Sequence, residues 1–210
     1  MKRYAPGRDD EVTSLHEERL EKIVHVLRHH RAETVLDLGC GAGELLARLA
    51  SEPAFRQIVG LDISPAALST ARDLLERLGH PADGRRLSLS HASFTEASDD
   101  FRGFDAAVML ETLEHIDPQR LSVLEKAVFG HFRPRLVMVT TPNREYNVLH
   151  GLPRGALRHR DHRFEWDRDK FRQWATGVAG RHGYQVTFDA IGPVDPFYGS
   201  STQMAVFSCH

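Results

Sequence analysis

The stretch Thr34-Val35-Leu36-Asp37-Leu38-Gly39-Cys40-Gly41-Ala42-Gly43-Glu44 decides the fold. Thr34–Leu38 reads as a buried strand, it runs straight into three alternate glycines, and a helical pattern follows from Glu44 to about Ala50. Glycines in such a turn let the backbone approach a ligand closely, and open α/β sheets bind ligands at the carboxyl ends of their strands. The dinucleotide fingerprint G-x-G-x-x-G is not met, because the third glycine comes one residue early and Glu44 takes the sixth place. A carboxylate there opposes a pyrophosphate at the helix N-terminus and suits a cationic ligand with an amino acid tail.

Outward from this turn, short apolar runs alternate with helical patterns, which predicts an α/β domain with a mainly parallel sheet. Leu15, Ile23, Val24, Val26 and Leu27 suit a helix leading into the domain. Gln57–Leu61 is a second strand ending at Asp62, and Ser64-Pro65 starts a helix to about Leu78, with Ser64 as N-cap and Pro65 at the first position. Arg86–Ser90, Phe104–Leu110 and Leu136–Thr140 read as further strands, the last stopped by Pro142. A helical segment carrying Glu111, Glu114 and His115 is expected after the fourth strand. Gly151–Asp161, rich in Gly, Pro and Arg, reads as an inserted loop, Asp167–Arg181 as a helix, and Tyr184–Ile191 and Thr202–Cys209 as the last two strands. The expectation is one domain: a helical lead-in at 1–33, a ligand-binding core at 34–150, an inserted loop and helix at 151–182, and a terminal strand pair at 183–210.

Composition narrows the function classes. At 210 residues the chain is long enough for a core without disulfides or metal staples. A net charge of −2 excludes a globally basic nucleic-acid binder while leaving local patches open. The cations are 23 arginines against four lysines, with 13 histidines besides. Codon bias accounts for such an excess, and so does a set of arginines for phosphate and histidines for metal. Cys40 and Cys209 form no CxxC pair, which argues against a disulfide framework or a thiolate zinc site and fits a reducing cytosol. No apolar stretch is long enough for a membrane span, and Met1–Asp10 lacks the apolar segment of a signal peptide. A cytoplasmic protein is expected.

The D-x-G-x-G-x-G pattern from Asp37 through Gly39, Gly41 and Gly43, with Asp62 ending the next strand, resembles the class I S-adenosylmethionine-dependent methyltransferases. That resemblance runs from about Thr34 onward and implies a Rossmann-like, seven-stranded, mostly parallel sheet with helices on both faces. Asp62 is placed to accept the two hydroxyls of the donor ribose. Ser93-Phe94 falls where such enzymes bind adenine; Phe94 either flanks the ring or is an ordinary core residue.

Most such enzymes need no metal, so Glu111-Thr112-Leu113-Glu114-His115 stands out. On a helix, positions i, i+3 and i+4 share a face, which would bring two carboxylates and an imidazole together beside the donor. Adjacent carboxylates repel, and a divalent ion relieves the repulsion. The oxygens suit Mg²⁺ or Mn²⁺, and the nitrogen favours Mn²⁺. A solvated acidic helix start, favourable to the helix dipole, is the competing account.

Two later stretches bear on the choice: Thr141-Pro142-Asn143-Arg144-Glu145-Tyr146-Asn147, and Asp161-His162-Arg163-Phe164-Glu165-Trp166. E-x-x-E-H, T-P-N-x-E-Y-N and D-H-x-F-E-W, in that order, resemble the HEN family of small-RNA 3′-terminal ribose 2′-O-methyltransferases. The resemblance implies S-adenosylmethionine as donor, an RNA 3′ end as acceptor, and a metal held by Glu111, Glu114, His115 and His162, with His159 as the competing fourth ligand. It also implies an RNA-repair ligase partner for bacterial members with an additional N-terminal region. This chain starts 33 residues before its first strand, so that region is expected to be missing.

A ribose 2′-hydroxyl is a poor nucleophile, and a metal contacting the terminal 2′- and 3′-oxygens would orient it and lower its pKa. It would also select an RNA end over an internal nucleotide or DNA. His115, His162 and a water are the candidate proton acceptors. Arg144, Arg154, Arg158, Arg160, Arg163, Arg168 and Arg172 either form a patch for the RNA backbone or are neutralised by Asp161, Glu165, Asp167 and Asp169. Tyr146 is a candidate stacking residue, while Phe164 and Trp166 are expected to anchor the loop to the core. Two alternatives remain at this point: a metal-independent small-molecule methyltransferase, and a scaffold that binds RNA ends without turnover.

Overall fold

The computed structural model describes residues 8–209, with side chains described from Ser14 onward. The polar start Met1–Asp10 therefore lies outside the described residues, apart from the backbone of its last three. One seven-stranded sheet runs in the order β3-β2-β1-β4-β5-β7-β6. Its strands are β1 (Thr34–Leu38), β2 (Gln57–Asp62), β3 (Leu87–His91), β4 (Ala106–Met109), β5 (Leu136–Pro142), β6 (Gln185–Asp195) and β7 (Gly199–Ser208). The first five are parallel, and β7 lies antiparallel between β5 and β6. This is the expected Rossmann-like α/β architecture.

Helices cover both faces of the sheet. They are α1 (Arg8–His29), α2 (Glu44–Ala50), α3 (Pro65–Arg77), α4 (Leu121–Glu125, continuing as a π-helical turn through Phe132) and α5 (Arg168–His182). One apolar cluster holds Leu36, Phe129, Phe171 and Phe207, and a second holds Ile23, Leu27, Val35, Leu46 and Met138. With both faces covered, all seven residues of β5 are buried, and its first four, Leu136–Val139, are a continuous apolar run and not an alternating one. Ser64 caps α3, its hydroxyl accepting from Ala67 N at 3.2 Å with Pro65 next in line. Asp167 caps α5 by accepting from Lys170 N at 2.8 Å. Among the described residues, no helix is long and apolar enough to cross a membrane.

Two expectations fail locally. The segment after β4 is not a helix: Glu111 has a left-handed backbone with φ 50°, and only Leu113–His115 forms a short 3₁₀ turn. Thr140 Oγ1 accepts the Glu111 N–H at 2.9 Å, a tertiary contact that holds this conformation. At the other end, β6 does not stop at Ile191. Gly192 and Pro193 sit in a bulge between Ile191 and Val194, after which pairing with β7 resumes at Val194–Ser200.

Candidate active site

The turn after β1 needs its glycines. Gly39 has φ +85°, and a Cβ there would lie 2.5 Å from Thr112 Cγ2; Gly43 has φ +88° and packs against Ala71. With the chain so curled, Gly39 N and Cys40 N donate to Leu61 O at 2.8 and 2.9 Å, which locks the turn to the end of β2. Asp62, at that end, is held by two backbone donors: Gly41 N to Oδ2 at 2.9 Å and Ser64 N to Oδ1 at 2.8 Å. Its carboxylate is thus fixed and faces a cleft of about 560 Å³.

Asp37, Gly39, Gly41, Asp62, Ser93 and Phe94 all line this cleft, while Gly43 serves it by closing the turn. Phe94 lines the cleft and also belongs to the apolar core. Ser93 Oγ and Thr95 Oγ1 are hydrogen bonded at 2.7 Å. Asp37 is buried, one of its carboxylate oxygens lacks a partner, and burial together with the charge of Asp62 raises its pKa to about 7. Glu44 opens α2 at the cleft and meets His16 Nε2 of α1 at 2.8 Å.

In the same cleft, Glu114, His115 and His162 each present a ligand atom within 4.8 Å of the others. Glu114 is fully buried; Thr141 Oγ1 donates to its Oε2 at 2.9 Å, and its Oε1 has no partner. Burial, then the charge of Glu111, pushes the Glu114 carboxyl well above its ordinary pKa. The ring centroids of His115 and His162 are 4.9 Å apart, and desolvation together with His162 lowers the pKa of His115. A carboxylate oxygen without a partner beside two imidazoles is a donor set that fits a divalent cation.

Glu111 stands outside that trio. Its Oε2 pairs with Arg19 Nη2 at 3.0 Å, while its Oε1 is buried without a partner. His159 also lies outside, exposed and 3.6 Å from Asp161 Oδ2, so the fold brings His162 to the cluster and leaves His159 at the surface.

The inserted loop is organised from within. Glu165 is buried and accepts from His162 Nδ1, Asn147 Nδ2 and Arg158 N at 2.6, 2.6 and 2.7 Å. Arg158 in turn donates to Asn147 Oδ1, Ser201 Oγ and Asn143 O at 2.6, 2.9 and 2.6 Å. Arg168 pairs with Glu145, and Arg160 lies 3.8 Å from Asp161, so these three arginines have internal partners. Arg172 lies over Phe188 and, like Arg144, Arg154 and Arg163, is exposed. Phe164 and Trp166 stack at 4.4 Å against the core, as anchors do. Tyr146 is half-buried, its ring 5.2 Å from that of His150.

Arg19, Thr141 and Asn147 have structural roles at the site that sequence reading left unassigned. Thr141 and Asn147 lie inside the quoted T-P-N-x-E-Y-N stretch, which was their signal. Arg19 carries none, because its partner Glu111 is remote in the chain.

Residues 35–134 match a family described as a methyltransferase domain. The small RNA 2′-O-methyltransferase of Mus musculus is 35% identical over 202 residues, which cover 92% of this chain and 51% of the mouse protein. The chain thus spans about half the length of that relative. The crystal structure of small RNA methyltransferase HEN1 is 32% identical, with a TM-score of 0.83, over 92% of this chain and 26% of that one. The crystal structure of the methyltransferase domain of bacterial CtHen1-CN matches at 43% identity and a TM-score of 0.83, covering 93% of this chain and 100% of that one. Matched end to end by that domain, with the glycine turn, Asp62 and the E-x-x-E-H residues gathered around one cleft, the chain belongs to the HEN family of methyltransferases.

Proposed function

We propose that the chain transfers a methyl group from S-adenosylmethionine to the 2′-hydroxyl of the 3′-terminal ribose of RNA, with the help of a divalent cation. The observation that carries this reading is the buried, unpartnered Glu114 Oε1 beside His115 and His162, in the same cleft as the glycine turn and Asp62. Bound there by Glu114, His115 and His162, with Glu111 close by, Mg²⁺ or Mn²⁺ would supply positive charge that lowers the pKa of a ribose hydroxyl and orients it.

The remaining work falls to the chain itself. Asp62, fixed by two backbone N–H groups, keeps acceptor lone pairs for the ribose hydroxyls of the donor. Asp37 offers a buried acid to the positively charged end of the donor. Glu165 is ionised, since the hydrogen bonds from His162, Asn147 and Arg158 N outweigh its burial and lower its pKa. It therefore accepts the proton-bearing Nδ1 of His162 and leaves the Nε2 lone pair for a cation. Exposed Arg144, Arg154 and Arg163 offer positive charge to the RNA backbone.

The test is methyl transfer from labelled donor to RNAs ending in a 2′,3′-diol, a 2′-deoxy or a 3′-deoxy ribose, with Mn²⁺ or with a chelator. Transfer is expected only to the diol and only with the ion. Transfer that ignores the 2′-hydroxyl overturns the acceptor assignment, and transfer that survives chelation overturns the metal. Donor binding without any transfer would mark a scaffold.

A further inference from the structure

Among the described residues, eight large apolar side chains are strongly exposed, and five of them fall on two neighbouring segments: Val148, Leu149, Val194, Phe197 and Tyr198. The segments are tied to each other through the start of β7. His150 Nε2 meets Ser201 Oγ at 3.0 Å, and Asn143 Nδ2 donates to Tyr198 O and Ser200 O at 2.8 and 2.9 Å. β6 runs parallel to β5, so its tip with β7 lies at the carboxyl-end edge of the sheet, the edge on which the cleft opens.

The tip is firmly built for a turn so exposed. Asp195 Oδ1 accepts the N–H groups of both Phe197 and Tyr198 at 2.8 Å. Arg168, paired with Glu145, donates to Phe197 O at 2.9 Å. Gly199 closes the turn at φ +70°. The result is a phenylalanine 80% exposed on an immobilised backbone. Aromatic rings presented in this way, beside positive charge, are the stacking platforms of single-stranded nucleic-acid sites, because every base has a π-face. Of the charges beside the tip, Glu145 is paired with Arg168, the Asp195 carboxylate is held by two backbone N–H groups, and Arg144 is exposed to meet a phosphate.

We propose that Phe197 stacks on a base of the RNA strand just upstream of the terminal nucleotide, so that the β6–β7 tip is a positioning surface for single-stranded RNA. The proposal rests on the RNA-end reading above.

Phe197→Ala and Phe197→Trp would be compared with the unaltered chain by steady-state transfer to single-stranded RNA. Alongside, 2-aminopurine would be placed at successive upstream positions and donor affinity measured by calorimetry. Phe197→Ala is expected to raise KM for RNA roughly 10-fold, with kcat and donor Kd unchanged, and to abolish the fluorescence quenching seen at one upstream position. Phe197→Trp should restore both, which a merely structural side chain would not require. Unchanged KM with unchanged quenching overturns the stacking while leaving the transferase reading intact. If the unaltered chain methylates no RNA, that reading falls, and the presence or absence of Phe197-dependent quenching alone decides the stacking. A dimer in sedimentation that Phe197→Ala dissociates would overturn the proposal by assigning the surface to a second copy.

Discussion

Nδ1 of His162 donates a 2.6 Å hydrogen bond to Glu165 Oε1, so the orientation of a candidate metal ligand is set by a carboxylate with no exposed side-chain surface. The other oxygen of Glu165 is bound by Asn147, whose side chain also receives Arg158. Glu165→Gln keeps the size but turns an obligate acceptor into a group with one acceptor and one donor. Carboxylates of this kind typically contribute 10–100-fold to metal affinity. Glu165→Gln is therefore expected to weaken Mn²⁺ binding about 10-fold, read by electron paramagnetic resonance, while donor affinity is retained. Equal Mn²⁺ affinity in the two proteins would show that His162 is held by packing alone.

Asp37 gives the ligand-free chain a pH dependence whose sign can be stated. Burial and Asp62 raise its pKa from 3.8 to about 7 in the folded state. The folded chain thus holds this proton where the unfolded chain has released it. The contribution is fully present below about pH 4 and is lost as pH rises through about 7. The full difference is at most about 4 kcal/mol. Melting temperature should fall between pH 5 and 7.5 through this group, and Asp37→Asn should flatten that part of the profile. Identical slopes in the two proteins would place the proton elsewhere.

The five parallel strands β1 to β5 were legible to within two residues, helped by unbroken apolar runs such as Leu136–Val139 of β5, whereas β7 begins at Gly199, three residues before the expected Thr202. Ser64-Pro65 was legible because capping is local. The failures are tertiary. The E-x-x-E-H spacing matches a helix face, yet Glu111 N bonds to Thr140 and the Glu114 carbonyl accepts from Arg163 N, and these remote contacts impose a turn. The strand expected over Tyr184–Ile191 runs on to Asp195, because β7 lies alongside and carries β6 through a bulge. At the site, Glu114, His115 and His162 were recoverable from motifs, whereas Arg19 lies on a helix with no motif of its own.

That arginine gives the last test. Arg19 donates from Nε to Thr202 Oγ1 at 2.9 Å and pairs through Nη2 with Glu111 at 3.0 Å, tying α1 to β7 and to the exit of β4. Both side chains are largely covered, 12% and 20% exposed, and Glu111 adds negative charge next to buried Glu114. Removing Arg19 leaves that charge uncompensated, a loss of roughly 2 kcal/mol once partial solvent access is allowed for. Arg19→Ala should lower stability in urea by that amount, and adding Glu111→Gln should cost less than it does alone, because the charge that needed a partner is gone. If Mn²⁺ compensates the same carboxylates, it should raise the melting temperature of Arg19→Ala by more than that of the unaltered chain. Additive losses and equal Mn²⁺ shifts would mean that Arg19 anchors α1 without balancing the acidic pair.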